Sequence, residues 1–372
     1  MLIYIVMPVA AIIMGLFLCR EKTGSKGKLI YCVGAGAGLF AVAAIRYAVG
    51  YDYILYANWF GRLRFMSGTE LTHWSREKGF AIPAKFLADM FPEPQIMFAL
   101  IAFAVTAGVM LLIYKRSPVP WVSVAAFLTS GLFFISMNFM RQFIAAVIIA
   151  FALRYVAKKR FCRFAGLILF ASVFHYSALL LLPFYFLLKI KLNYISLSLM
   201  LTASIIIYMF VTPLMDIATN FFYTRYDPVT HIEAANGLSP VYTIVFALFF
   251  ALAFMLRNML KIRNKHANTL LVSMYFAVFF GLLGTSHAIL SRLALLFIIA
   301  PILILSADIY TILRDLILLM FKGSKKNTVV WGALVSLFFL CINGLYYHYL
   351  LSVNFNGVVP YQTVFDRQEV ET

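Results

Sequence analysis

Residues 154–191 read RYVAKKRFCRFAGLILFASVFHYSALLLLPFYFLLKIK, and whether this stretch crosses a membrane once or turns back inside it decides the topology of the whole chain. Arg154, Lys158, Lys159, Arg160 and Arg163 crowd its start, Lys189 and Lys191 close it, and residues 164–188 between them are apolar but for an interruption around His175 and Ser177. Lys and Arg gather on the cytoplasmic side of membrane proteins, so both ends belong inside. Twenty-five residues at 1.5 Å rise give about 37 Å of helix, too short for two full spans. The expectation is therefore a re-entrant helical hairpin over 164–188, with His175 and Ser177 near its tip. Non-helical backbone at that depth requires a protein-walled or watery cavity. A single tilted crossing is the alternative.

Outward from this stretch, apolar runs stand at approximately 2–19, 29–46, 95–113, 119–137, 139–157, 192–212, 241–256, 268–286, 288–307 and 328–350. Only 12% of the 372 residues are charged and 63% are hydrophobic, with mean hydropathy +0.92. Soluble domains carry roughly 25% charged residues, which excludes that class. Short alternating strands are absent from the sequence, which argues against a transmembrane barrel. The expected fold is all-α: a polytopic membrane protein of about ten full transmembrane helices plus the re-entrant hairpin, a single integral membrane domain over 1–372 with no internal repeat. The run 2–19 has no basic stretch before it and no small-residue cleavage signal, so it reads as a retained helix rather than a signal peptide.

Arg20, Lys22, Lys26 and Lys28 place 20–28 on the cytoplasmic side and the N-terminus outside. With the hairpin turning back, 21 of the 31 Lys and Arg fall inside, in clusters that include 115–116, 257–265 and 314–326. The C-terminus then lies outside as well. Outer loops over 47–94 and 213–240, an outer tail over 352–372 and a cytoplasmic surface helix over 309–321 complete the expectation. Two amphipathic stretches, 53–65 and 80–91, are expected to lie in the interface plane. The net charge of +17 is thus a topological signal, not a nucleic-acid footprint. Cys19, Cys32, Cys162 and Cys341 have no metal-ligand spacing, and no metal or cofactor is expected. The sequence lacks GxxxxGK[ST], GxSxG and HExxH, which argues against ATP-driven transport within this chain.

An ionised group at bilayer depth costs about 2.5–3.5 kcal/mol on insertion scales, so charges at the ends of spans need a reason. Arg46, Asp52, Glu77, Asn138, Arg141, Gln142, His175 and Arg292 all fall at or near the outer end of a span. Three arginines, two acids and a histidine on one side point to an anion-handling site. Asn138, Arg141 and Gln142 stand at i, i+3 and i+4; read as the first turn of the fifth span, they share one face of a helix start, which favours anions. Arg292 lies several residues inside its span among apolar neighbours. Arg46 is explained equally by an interfacial arginine beside the turn glycine Gly50. A lone histidine such as His175 is more often structural than catalytic. Glu77, between Arg76 and Lys78, reads from spacing alone as a solvated loop charge. Trp59, Trp74, Tyr51, Tyr53 and Tyr56 suit stacking on sugar rings, and equally suit the aromatic belt of any membrane protein.

The ordered series Arg46…Val49-Gly50-Tyr51-Asp52-Tyr53…Tyr56, Glu77-Lys78-Gly79-Phe80, Asn138-Phe139-Met140-Arg141-Gln142, Phe174-His175-Tyr176-Ser177-Ala178, Ser291-Arg292 and Val359-Pro360-Tyr361 resembles the EpsG family, from about residue 40 to 365. That resemblance implies a Wzy-like polymerase of bacterial exopolysaccharide, capsule or O-antigen, in the plasma membrane with its active site on the extracytoplasmic face. Such an enzyme moves a growing glycan from undecaprenyl pyrophosphate to a sugar hydroxyl of another lipid-linked repeat unit, without nucleotide sugar, metal or cofactor. Its implied partners are the lipid-linked oligosaccharide, the bilayer, a flippase and a chain-length regulator. On this reading Arg46, Arg141 and Arg292, with Gln142 and Asn138, hold pyrophosphate, for which the guanidinium fork is suited. Asp52, Glu77 or His175 takes the acceptor proton, and Tyr53, Tyr56, Ser177 and Tyr361 contact the glycan. Three rivals stay open: a flippase or transporter for the same lipid-linked sugars, a membrane O-acyltransferase with His175 as base, and a structural assembly subunit.

Overall fold

Apolar segments in lipid must satisfy their backbone N–H and C=O groups internally, which only helices do along a single segment. The computed structural model describes residues 2–19, 24–74, 77–213, 215, 240–320 and 325–366, and it is all-helical, with no strand among them. The first helices are α1 (Leu2–Leu18), α2 (Gly24–Ala44), α3 (Tyr53–Leu63), α4 (Gly68–Trp74), α5 (Lys78–Met90) and α6 (Gln95–Arg116). Next come α7 (Pro120–Thr129), α8 (Leu132–Asn138), α9 (Met140–Ala157), α10 (Phe161–Phe174), α11 (Leu181–Leu187) and α12 (Tyr194–Met209). The last are α13 (Pro240–Met255), α14 (Arg257–Arg263), α15 (Ala267–Leu283), α16 (Ala288–Met320) and α17 (Lys325–Ser352).

Every predicted span coincides with a helix. By length and composition four are sufficient to cross a bilayer (α2, α6, α9 and most of α16), or six if the bent pairs α7–α8 and α13–α14 each count as one. Shorter apolar helices, among them α1, α12 and α15, stand at other predicted spans. The predicted span 119–137 is not straight: it bends by 58° between α7 and α8, where Gly131 takes φ +78°. The surface helix expected over 309–321 is not a separate element, since α16 continues through Met320. The loop 213–240, with Arg225, Asp227, His231 and Glu233, lies almost wholly outside the described residues, as does the end of the tail, 367–372.

The core is built around α16. Every residue from 294 to 312 is buried, which fits a helix apolar on all sides, and α7, α9, α15 and α17 pack on it. The joint that starts it is tight: a Cβ on Gly284 would lie 2.3 Å from the Ser291 Cβ.

Residues 161–187 do double back. The helix α10 ends at His175, whose backbone is extended (φ −150°, ψ 114°), and a 3-10 turn over Tyr176–Leu180 leads into α11. The Phe161 ring at the start of α10 meets the Tyr185 ring near the end of α11, with centroids 5.0 Å apart. His175 therefore sits at the tip of a helical hairpin.

The two amphipathic stretches form α3 and α5. Tyr53, Tyr56, Phe60 and Leu63 on one, and Ala81, Ala84 and Ala88 on the other, recur every three or four residues and are buried, with Phe80 buried beside Ala81. The two helices pack together, and α5 lies across α10. Gly79 makes that crossing possible, because a Cβ there would lie 2.5 Å from Val173 Cγ1 and 3.0 Å from the Val173 carbonyl oxygen.

The tail folds back on the segment after α2. Tyr47 N–H donates to the Gln362 carbonyl, Gly50 N–H to Gly357, and Val364 N–H to Ile45, each at 2.9 Å. Arg46 and Thr363 form an isolated antiparallel bridge. Asn356 and Gly357 both take φ +65°, completing the turn that brings the tail round.

Candidate functional site

Several separate stretches meet at the end of the molecule defined by the start of α9, the hairpin tip and the segment 46–52. Arg46 follows α2 and is 2% exposed, not a residue reaching into the interface. Its NH2 contacts Met140 Sδ at 3.4 Å, and its guanidinium lies over the rings of Phe98 (5.3 Å) and Tyr53 (5.8 Å). Its Nε and NH1 are buried and form no hydrogen bond among the described residues. Buried polar groups are almost always paired, so a guanidinium with two free N–H directions is a standing demand for an acceptor.

After Arg46 the chain turns at Gly50, where φ is +97° and a Cβ would lie 2.8 Å from Asn138 Oδ1. Asn138 Oδ1 accepts the Asp52 N–H at 3.2 Å, while its amide donates to the Phe134 and Asn356 carbonyls. Asn138 is 1% exposed, and with these bonds it clamps the Gly50–Asp52 turn to the tail rather than offering donors to an anion. Nor does it share a helix face with Arg141. Phe139 is non-helical (φ −77°, ψ 52°), so Asn138 ends α8 and Arg141 opens α9. Gln142 is also committed: its amide donates to the Arg292 carbonyl at 2.5 Å, fixing the start of α16 against the start of α9.

Asp52 is half-buried, and its carboxyl accepts no hydrogen bond and joins no ion pair among the described residues. Burial pushes that carboxyl up; Arg292, Arg141 and Arg46 pull it down, in that order, without cancelling the rise. Three guanidiniums from three parts of the sequence thus act on one unpaired acid. Arg292 is exposed, with its charge over the Phe139 ring at 5.2 Å. Arg46 and Arg292 line separate small recesses rather than one enclosed chamber.

Glu77 is the opposite kind of acid. It is 9% exposed, not a solvated loop charge. Its Oε2 receives Arg141 NH1 at 2.6 Å; its Oε1 faces His175 Nδ1 at 2.6 Å and accepts the Tyr176 N–H at 3.2 Å. Burial alone would raise its carboxyl, but the His175 hydrogen bond, the Arg141 charge and the Tyr176 N–H outweigh burial and hold it below the usual carboxylate range. The result is a chain Arg141–Glu77–His175 that fixes the guanidinium and orients the imidazole with Nε2 turned away from the carboxylate.

The aromatic residues divide. Tyr56 OH accepts Arg141 Nε at 3.1 Å. Tyr56, Trp59 and Phe80 pack edge and face, with Trp59 stacked on Phe80 at 5.4 Å, and Arg141 lies over both Tyr56 and Phe80. Tyr53 is 2% exposed, stacked on Phe98, with its hydroxyl on Gln95 Oε1. Tyr361 donates to the Val42 carbonyl at 2.8 Å and packs on Tyr4. Burial of Tyr53 and engagement of Tyr361 leave neither with a free ring for a sugar. Ser177 Oγ is buried beside the hairpin tip without a hydrogen-bond partner among the described residues.

Phe80, which stands in the site motifs without an assigned role, supplies the wall under Arg141. Two further contributors carry no mark in those motifs. Gln95 holds the turn after α2 by donating to the carbonyls of Ala44 and Arg46. The 354–357 turn supports Gly50 and Asn138; its Asn-Phe-Asn-Gly sequence is a turn signal that could have exposed it.

A family model described as the EpsG family matches residues 29–363, a range that includes every residue of this site. No curated protein and no solved structure matches the chain.

Proposed function

Because this chain belongs to the EpsG family, a family of Wzy-like polymerases, we propose that it lengthens polysaccharide by transferring a growing glycan from a lipid pyrophosphate to a sugar hydroxyl of a second lipid-linked repeat unit. The observation that carries this reading is that the buried Arg46, with two N–H groups unbonded among the described residues, and the half-buried Asp52 carboxyl lie on the turn that Asn138 clamps beside the start of α9, where Glu77 and Tyr56 hold Arg141. Undecaprenyl pyrophosphate is the donor lipid, and the reaction takes place on the outer face of the bacterial plasma membrane. Ten spans with both termini outside accompany that placement.

Asp52 accepts the proton of the acceptor hydroxyl as its oxygen attacks the anomeric carbon. The bond from that carbon to the pyrophosphate oxygen breaks, and its electron pair leaves with the pyrophosphate. Arg141 and Arg292 meet the charge that develops there; loss of one preorganised donor of this kind costs about 10²–10³ in rate. Arg46 holds the pyrophosphate of the second lipid. Backside attack inverts the anomeric centre. Pyrophosphate is a good leaving group, so no second carboxylate is needed as acid, and the guanidiniums supply the positive charge for which other phosphate enzymes use a metal. Glu77 is a positioning residue through Arg141 and His175, and Trp59, the partly exposed ring of the Tyr56–Trp59–Phe80 cluster, borders the acceptor sugar.

Purified protein in vesicles with lipid-linked repeat units tests this. The expected product is a ladder of longer glycans, made equally well with a chelator present and absent from Arg141→Ala. Wild-type protein that only moves single units across the bilayer, or that changes acyl content without lengthening the glycan, overturns the reading.

A further inference from the structure

At the far ends of α6 and α9, a helix length away from Gln95 and Arg141, lies a recess of about 480 Å3. Its rim and walls carry Lys115 and Arg116 from the last turn of α6, Arg154 from the last turn of α9, Lys261 and Arg263 from α14, and Lys265 from the loop before α15. Asp308 of α16 is the one acid in the lining, and its Oδ2 accepts the Asn264 amide at 2.8 Å. Arg263 is drawn outward to Asp315, and Lys261 donates to the Leu192 carbonyl. Lys115, Arg116 and Lys265 form no ion pair or hydrogen bond among the described residues.

Positive-inside sorting accounts for basic residues at these helix ends, and helix C-termini favour cations. Neither accounts for cations from four segments facing one another across a concave space, where each raises the cost of the next. The strain reaches His266 in the same wall: burial, then the charges of Arg116, Lys265, Lys158 and Arg154, push its imidazole down to about 4. A bound anion would relieve that repulsion. The recess falls within the usual size of small-ligand sites, roughly 300–1,000 Å3. Of the three guanidiniums, Arg154 is held by the Tyr155 hydroxyl and Arg263 by Asp315, while Arg116, with the ammoniums of Lys115 and Lys265, suits phosphate oxygens, the guanidinium as a fork and the ammoniums as point charges.

We propose that this recess is a second anion site, separate from the one around Asp52, that takes a phosphate-bearing group. The group is either the head of an anionic membrane lipid or a soluble phosphate compound, and the two sources are separable. Wild-type protein, the triple variant Lys115→Gln/Arg116→Gln/Lys265→Gln, Arg141→Ala and the combination of the two are placed in bilayer discs of zwitterionic lipid. Phosphatidylglycerol is then added to the discs in one arm and inorganic pyrophosphate to the solution in the other. Native mass spectrometry counts bound lipid, and titration with a melting-temperature readout follows pyrophosphate. The expected result is saturable binding of at least one probe to wild type and to Arg141→Ala, with the binding that Arg141→Ala retains weakened at least tenfold when the triple substitution is added to it, and weakened by salt. Lipid retention alone identifies a head group, and a pyrophosphate response alone identifies a soluble ligand. Binding to Arg141→Ala unchanged by the added triple substitution, or neither probe binding wild type, overturns the proposal. Pyrophosphate binding lost in Arg141→Ala but kept in the triple variant assigns the anion to the Asp52 site instead, and also overturns it.

Discussion

Asp52 and Glu77 carry the same functional group within one constellation, yet their surroundings give them different work. Glu77 is spent on Arg141, His175 and Tyr176, whereas the half-buried Asp52 carboxyl accepts no hydrogen bond and joins no ion pair among the described residues. Asp52→Asn is therefore expected to cut polymerisation by about 10²–10⁴-fold while leaving the melting temperature unchanged, because no hydrogen bond to that carboxyl is lost. The proton acceptor must be ionised, and burial raises this one, so wild-type activity should climb with pH through a midpoint above the ordinary aspartate value of 3.8. A rate profile of His175→Gln that keeps this acid limb assigns it to Asp52; disappearance of the limb assigns it to the imidazole. Glu77→Gln should cost stability, about 1.5–3 kcal/mol for hydrogen bonds to a charged group. Because folding lowers the Glu77 pKa, its contribution is complete above about pH 4.5 and fades as pH falls below it. Melting curves of wild type and Glu77→Gln should therefore converge on acidification; a constant gap would refute the pairing. The candidates Arg46, Asp52, Arg141, His175 and Arg292 were legible in the sequence because charge is costly at these depths. Their partners were not, since Glu77 meets His175 across 98 positions and nothing local marks the pair.

At the scale of elements, the crossing of α5 over α10 holds Glu77 in place, and Gly79 sets how closely they approach. Gly79→Ala puts a methyl group against the Val173 backbone, which cannot move aside as a side-chain tip does. A loss of about 1–3 kcal/mol follows from such overpacking, together with a fall in activity as Glu77 leaves Arg141. Gly61→Ala in α3 is the control: a Cβ there meets nothing within 4 Å, so activity should persist and stability should rise by up to about 1 kcal/mol. Activity retained in Gly79→Ala would show that the crossing does not position the acid. Helix identity and the hairpin were readable from hydropathy and basic clusters. The break at Phe139 was not: Met137-Asn138-Phe139-Met140 holds neither Gly nor Pro, so the i, i+3, i+4 spacing of Asn138, Arg141 and Gln142 suggested one continuous face. The ties from Asn138 to Asn356 and from Gln142 to Arg292, which fix the two helix ends, come from distant parts of the chain.

Over the whole molecule, α6 and α9 each join the two charged ends, with the Asp52 site at one and the basic recess at the other. On the proposed orientation the first lies outside. In a cysteine-free background an impermeant maleimide should label Phe365→Cys in intact cells, and Lys265→Cys only after the membrane is opened. The reverse pattern would invert the orientation. The pairing of 45–50 with 357–364 ties both ends of the sequence to one wall of the site, and Tyr361 and Val42 bond across 319 positions. A ribosome thus delivers Arg46 to the bilayer long before the stretch that covers it exists. Until then the amides of Tyr47 and Gly50 await acceptors, and the nascent polypeptide holds a charged arginine without its finished enclosure. Competence to build polymer should accordingly switch on late in biogenesis, so that truncated translation products are inert rather than partially active.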